Sequence, residues 1–437
     1  MSNGSFLERF FKLKQWNTDV RTEIMAGLTT FVTMAYVLAV VPSTQAAAGL
    51  PKGPMTVALI LVIALCTIAM GLYTNRPLAL APGMGSVAFL TYTLVVTNQI
   101  SVEVAFGMVF IEGVIFLLMT VFGLRQLVVS IIPKPIKLST GAGVGLFLAL
   151  LGLKNAGLVV ANASTNVLNL GRLADPGALL ALIGLVVTGA LVALNVRGHI
   201  LWGILITTVI GIPMGITKMP ASLISLPTGI GEVAFKVDIM GALKVVYLPF
   251  LFTFFMSDFF STLGTILAIG ARGKMLDKDG NFPEIDKPFL VDAASTVLGS
   301  LFAAPVMTTY VESTSGVEAG GRTGLTAVSA GFFFLLTLFL TPVALMIPTQ
   351  ATAPALVVIG LLMLSTLKQV DLEDFSEAFP AFISIAFTIF TFNFANGIAM
   401  GILTFILIKV LTGKAKEIHP GLYLLALPLL YYFWMIR

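Results

Sequence analysis

Between Gly27 and Leu411 the chain is a succession of apolar runs, most of them close to bilayer length, joined by short polar segments. A hydrocarbon core about 30 Å thick takes roughly 20 helical residues to cross. Backbone N–H and C=O groups must be satisfied internally in that solvent, which a helix does. The runs fall at 27–41, 55–72, 79–96, 104–122, 136–153, 177–194 and 200–216. After a polar interval at 217–244 they resume at 247–269, 289–304, 325–347, 353–367, 378–394 and 398–411. With the broken stretch at 307–326 this predicts an all-α polytopic membrane protein of about 14 spans. Only 11% of the 437 residues are charged, against about 25% in soluble domains, so a soluble globule is excluded. A last run, 422–435, carries Tyr431, Tyr432 and Trp434 and either lies at the interface or crosses.

Charge orients the chain. Residues 2–23 are polar and basic, with Phe6, Phe10, Phe11 and Trp16, which fits an amphipathic interfacial segment rather than a cleavable signal. With a cytoplasmic N-terminus, Arg9, Lys12, Lys14, Arg21, Arg76, Arg125, Lys134, Lys137, Arg197, Arg272, Lys274, Lys278, Lys287, Arg322, Lys368, Lys409, Lys414 and Lys416 fall inside. Lys52, Lys154, Arg172, Lys218, Lys236 and Lys244 fall outside. That asymmetry is the positive-inside pattern, so the net charge of +4 does not imply nucleic acid. Cys66 is the only cysteine, and His199 and His419 are far apart. No disulfide, metal centre, cofactor or catalytic nucleophile is expected.

Two runs are interrupted. Met307–Thr326 reads MTTYVESTSGVEAGGRTGLT, and the third run is broken at Pro82, Gly83 and Gly85. Irregular polar backbone survives at membrane depth only where protein buries it or water wets it. Thr308, Thr309 and Tyr310 favour a strand. A half-helix then begins near Glu312 or Ser313, directing its N–H groups and positive dipole end into a cavity. Interrupted spans in matching positions of two halves mark a transporter's binding site. Seven spans per half would invert the second half, so that spans 3 and 10, each a short strand plus half-helix, cross near the midplane.

Polar residues within the runs add candidates. Asp258 lies near the middle of the eighth run, among Ser257, Ser261, Thr262 and Thr265. A carboxylate at that depth costs about 3 kcal/mol on insertion scales and is kept for function. A buried carboxyl can take up and release a proton, which makes Asp258 and Glu312 coupling candidates. Glu112, in mid-span, either joins this cluster or is a protonated structural link. Asp292, near the start of the ninth run, is expected toward the cytoplasmic boundary. Glu318 and Arg322, four apart on the expected half-helix, are placed to pair. Phe89, Tyr92, Phe254, Phe255, Phe259, Phe260 and Tyr310 flank these positions, and one or two could stack on a flat ligand.

Four segments in order carry a resemblance: Thr22–Tyr36 (TEIMAGLTTFVTMAY), Leu80–Gly85 (LAPGMG), the Asp258 segment, and Thr309–Ser313 (TYVES) with Ala319–Gly324 (AGGRTG). They resemble the AzgA-like purine permeases, a branch of the nucleobase/ascorbate transporter superfamily, over nearly the whole chain. The resemblance implies a uracil-permease-type fold of fourteen spans in two inverted repeats of seven. It implies a core domain from residues 1–122 and 247–347 and a gate domain from 123–246 and 348–437. It further implies a homodimer in the inner (plasma) membrane and proton-coupled symport of purine nucleobases. Asp258 and Glu312 would be the substrate-binding pair. Gly83, Met84, Gly85, Ser86, Phe259, Tyr310 and Ser313 would complete the site, and Asp258, Glu312 and Glu112 would be the proton-coupling candidates. The chain departs from the branch at Val41, Val87, Ser261 and Glu112, which leaves open whether hypoxanthine, guanine or adenine is preferred.

Other readings keep the fold and change the cargo, to uracil, xanthine or an anion. Two carboxylates in the site argue against an anion, because they repel it. An enzyme is disfavoured for want of any metal cluster, nucleophile elbow or cofactor fingerprint.

Overall fold

The computed structural model describes residues 6–123, 131–161, 168–220, 222–278, 281–391 and 393–435. Each apolar run is helical over most of its length in it, the third after a short strand. The first is longer than its hydropathy predicts: α1 (Val20–Met34) and α2 (Val37–Gln45) follow each other across a break at Ala35–Tyr36. Asp19 starts α1, its Oδ1 accepting from the Thr22 N–H at 3.0 Å, as an N-cap should.

Next come α3 (Lys52–Thr74), strand β1 (Leu80–Pro82) and α4 (Met84–Ala88), which continues into a π-helical stretch at Phe89–Thr97. Then follow α5 (Val102–Val121), α6 (Lys134–Asn155), a small hairpin of β2 (Val159–Ala161) and β3 (Leu168–Leu170), α7 (Pro176–Ala193) and α8 (His199–Ile210). The second half has α9 (Leu248–Gly273), α10 (Asp286–Ser300), β4 (Met307–Thr309), α11 (Ser313–Glu318) and α12 (Gly324–Leu336). It ends with α13 (Thr349–Met363), α14 (Phe375–Phe390), α15 (Phe394–Leu411) and α16 (Pro420–Met435). Among the described residues, eight helical segments are long and apolar enough to cross a membrane, with five shorter apolar helices beside them.

Helix association in lipid lacks a hydrophobic drive and relies on close packing of small residues. Two glycine-on-glycine crossings illustrate it. Gly71 of α3 lies against the backbone of Gly324 in α12, and Gly145 of α6 against that of Gly360 in α13. A Cβ at any of the four would strike the opposing carbonyl. α12 also packs on α1, and α10 on α5; α6 also contacts α14, and α14 contacts α15. The interrupted segments bring β1 and β4 together between α3, α9 and α10.

Candidate functional site

β1 and β4 form a two-stranded antiparallel sheet with Leu80 opposite Thr309, Ala81 opposite Thr308 and Pro82 opposite Met307. Two bonds extend the ladder: Gly83 N–H donates to Val306 O, and Tyr310 N–H donates to Ala79 O, both at 2.9 Å. Because the strands are antiparallel, α4 and α11 leave the crossing from opposite ends.

The outer edges of so short a sheet need partners, and threonine hydroxyls supply them. Thr67 Oγ1 on α3 donates to Leu80 O at 3.1 Å and accepts from Leu80 N at 3.0 Å. Thr296 Oγ1 on α10 does the same for Met307, at 3.0 Å in both directions. The crossing is buried throughout.

Side chains close its two ends. Tyr310 OH donates to Pro82 O at 2.5 Å, and Ser313 Oγ accepts from Ala79 N at 3.0 Å. Gly83, Met84, Gly85 and Ser86 form the turn into α4, where first-turn N–H groups have no helical carbonyl to bond. Gly85 is required there by contact: a Cβ would run into the Val144 side chain of α6. Glu312 stands at the start of α11, half-buried, and its Oε1 accepts from Tyr36 OH at 2.7 Å. Tyr36 sits at the break between α1 and α2, which aims its side chain at the crossing. Sequence reasoning missed it, although it ends the first of the motifs.

Asp258 and Glu312 belong to two polar groups. Among the described residues, no hydrogen bond joins them. The Asp258 carboxyl lies within electrostatic reach of Asp292 and Glu112 instead. Asp292 corrects an expectation: it is fully buried rather than at the cytoplasmic boundary. Its Oδ2 accepts from Thr262 Oγ1 at 3.0 Å and its Oδ1 from Thr309 Oγ1 at 3.4 Å. α10 starts at Asp286, just ahead of the apolar run, so position 292 lies nearly two turns inside the helix. Phe259 packs in a buried ring cluster with Phe116, Phe255 and Phe289, at centroid distances of 5.7, 5.6 and 5.4 Å.

The expected Glu318–Arg322 pair does not form. Gly320 adopts φ 106°, a backbone state L side chains avoid, and α11 stops before it. Glu318 instead meets Arg272 at 3.5 Å on the surface. The loop after α11 is held by a carboxylate that sequence reasoning left in the polar N-terminal segment. Glu23, fully buried, accepts from the backbone N–H of Arg322 (2.8 Å), Thr323 (3.2 Å) and Thr326 (3.2 Å) and from Thr326 Oγ1 (2.5 Å). It caps α12 from another helix, where the dipole favours negative charge.

Comparison with known proteins agrees with this architecture. A family profile described as Permease family (Xan_ur_permease) matches residues 21–400. The adenine permease AdeQ of Escherichia coli K12 is 38% identical over 413 residues, covering 94% of this chain and 93% of that one. The guanine/hypoxanthine permease GhxP of Escherichia coli O157:H7 is 36% identical over 438 residues, covering 98% and 97%. Among solved structures, the transmembrane domain of the cyanobacterial bicarbonate transporter BicA superposes with a TM-score of 0.63 at 17% identity. It covers 87% of this chain and 97% of that one, a likeness of fold alone. Motifs, crossing and profile converge: the chain belongs to the permease family, in the purine-permease branch of the nucleobase/ascorbate transporter superfamily, and is a membrane transporter rather than an enzyme.

Proposed function

We propose that this protein takes up a purine base together with a proton by alternating access, with the base bound at the β1–β4 crossing. The observation that carries this is the crossing itself, with a half-helix leaving each end and Glu312 held at one end by Tyr36. A purine's N–H edge suits an acceptor such as Glu312, and its ring acceptors suit the free N–H groups of Met84, Gly85 and Ser86. Ser313 and Tyr310 fix the strand ends, and Asp258 contributes from α9. The names of the relatives, adenine and guanine/hypoxanthine permeases, support the substrate class.

The full arrangement is fourteen spans in two inverted repeats of seven. Residues 1–122 and 247–347 form a core, and 123–246 and 348–437 a gate that moves against it. The matched roles of Thr67 and Thr296, in the spans before each interrupted one, support the repeat. A homodimer in the inner membrane with a cytoplasmic N-terminus completes the reading. The fold likeness to a bicarbonate carrier does not move the substrate toward an anion, because carboxylates line the site.

The test is uptake into proteoliposomes containing the purified protein, under an inward proton gradient, with labelled adenine, hypoxanthine, guanine, uracil and sulfate. Saturable accumulation of a purine, lost when the gradient is collapsed and lost in Glu312→Gln, is expected. Accumulation of sulfate, or purine flux indifferent to the gradient and to Glu312→Gln, would overturn it.

A further inference from the structure

The interval between α8 and α9 reads as polar by hydropathy, yet what it exposes is largely apolar. Leu223, Ile224, Leu226, Phe235, Met240 and Leu243 are 58–79% exposed. Residues 222–247 form a strap across one end of the molecule. Ser225 N–H donates at 3.1 Å to Phe339 O, in the turn that continues α12 (Thr337–Leu340). Phe235 N–H donates to Leu301 O just past α10 at 2.6 Å, and Asp238 N–H to Glu103 O at the start of α5 at 2.9 Å. Gly229 lies against Pro54 at the start of α3. The strap thus crosses the ends of four helices.

Its depth follows from α5. That helix has 20 residues, about 30 Å, the thickness of the hydrocarbon core. Val102, its first residue, therefore stands near the boundary. One helical turn of the strap, Ile239–Ala242, packs on α5, and a Cβ on Gly107 would strike the Asp238 carbonyl. Gly107 comes five residues after Val102, roughly 7 Å below the boundary at about 1.5 Å per residue. Interfacial helices sink about 5–10 Å. Asp238 does not oppose this placement, because its Oδ1 accepts from Gly241 N at 2.8 Å and caps the turn.

The open apolar surface continues beyond the strap. Leu118 lies about three turns further along the Gly107 stripe of α5 and is open, as are Phe332 and Leu336 on α12, which leads into the Ser225 contact. Charges of the strap turn elsewhere: Glu232 and Lys236 line a cavity of about 180 Å³ with Glu103, Pro51 and Ala303. Within 222–247, Lys236 and Lys244 balance Glu232 and Asp238, so apolar area rather than net charge is what the strap offers a partner. Its apolar residues are strung along successive helix ends instead of gathered in one patch. That suits a fluid lipid layer better than a second protein surface.

We propose that residues 222–247 are a membrane-borne belt, sunk into the headgroup–acyl boundary of the leaflet at that end of the molecule, with the lipid monolayer as its partner. The link from α8 to α9 is then an anchor for α12, α3, α10 and α5 rather than a loop in water. The proposal does not depend on the cargo.

Cys66 is the only cysteine, so Cys66→Ala gives a background for attaching single nitroxides through Leu226→Cys, Met240→Cys and Glu232→Cys. The full-length protein is placed in phosphatidylcholine nanodiscs. Collision rates are then compared for oxygen, which concentrates in lipid, and a water-soluble nickel chelate. At Leu226→Cys and Met240→Cys the oxygen rate is expected to exceed the nickel rate at least threefold, and at Glu232→Cys the order is expected to reverse. Nickel favoured at position 226 or 240 overturns the belt. Labels shielded from both reagents, and broadened by a neighbouring spin until excess unlabelled protein is co-reconstituted, would assign the surface to a second copy and overturn it as well. Should one of the two strap variants fail to fold, Leu223→Cys takes its place.

Discussion

Glu23 and the Glu112–Asp258 pair are equally buried and oppositely served. Glu23 receives three backbone N–H groups and a hydroxyl at the start of α12. The four carboxyl oxygens of Glu112 and Asp258 are buried without a completed hydrogen bond among the described residues, although the Asp292 carboxyl and the Thr296 hydroxyl lie beside Asp258. A buried acceptor surrounded by donors is fixed in one place, so it holds structure. A buried acceptor without donors gains nothing for stability, which makes its presence at membrane depth an argument for function.

The largest effect should come from breaking the well-served site. Glu23→Ala leaves the α12 N-terminus without its acceptor and should cost roughly 3 kcal/mol, since hydrogen bonds to charged groups contribute about 1.5–3 kcal/mol each. A clear fall in the thermal unfolding midpoint of the detergent-purified protein would show it. An unchanged midpoint would mean that burial without donors and burial with them are energetically alike. Tyr36→Phe, next in size, removes the O–H that steadies Glu312. A weakening of base affinity by about tenfold, roughly 1.4 kcal/mol, with little change in unfolding temperature, is expected from calorimetric titration. Affinity as in wild type would place Glu312's orientation under some other control.

Glu112→Met sharpens the contrast from the other side. Exchanging an unserved buried carboxyl for an apolar side chain of similar size should leave stability unchanged or raise it by up to about 1 kcal/mol. A large loss of stability would reveal a partner that Glu112 depends on. The smallest effect belongs to Asp374 at the exposed start of α14. Its carboxyl accepts from Ser376 N at 2.8 Å and from Lys414 Nζ at 3.1 Å. The Ser376 hydrogen bonds, then the Lys414 ammonium, hold its pKa down at about 2 from 3.8. A depressed folded-state pKa stabilises above the unfolded value and ceases to do so as pH falls from about 3.8 through about 2. Wild type should therefore unfold slightly later than Asp374→Asn at neutral pH, with the gap closing in acid. A gap that widens in acid would contradict the sign.

The runs, the two interruptions and the mid-helix place of Asp258 were legible because each is local: hydropathy over a window, or Gly, Pro and Thr in a fixed order. The partners were not. Tyr36 and Glu312 are 276 positions apart, and Glu23 and Arg322 are 299 apart; no local pattern encodes such pairs. Asp292 was misplaced because hydropathy marks where apolar residues begin, whereas α10 begins earlier. Arg322 was carried onto a half-helix because the i, i+4 spacing outweighed Gly320, which lies between the two charges, although an intervening glycine is a stop signal.

The three-rung pairing of Leu80–Pro82 with Met307–Thr309 bears on biogenesis. While the ribosome is still making the second half, the first interrupted span has no rungs on its inner edge, and nothing made before Met307 can supply them. Hydrocarbon is a poor place to wait in that condition. Nascent chains cut short before Met307 should therefore be cleared by membrane quality control, while chains that extend past Glu318 persist.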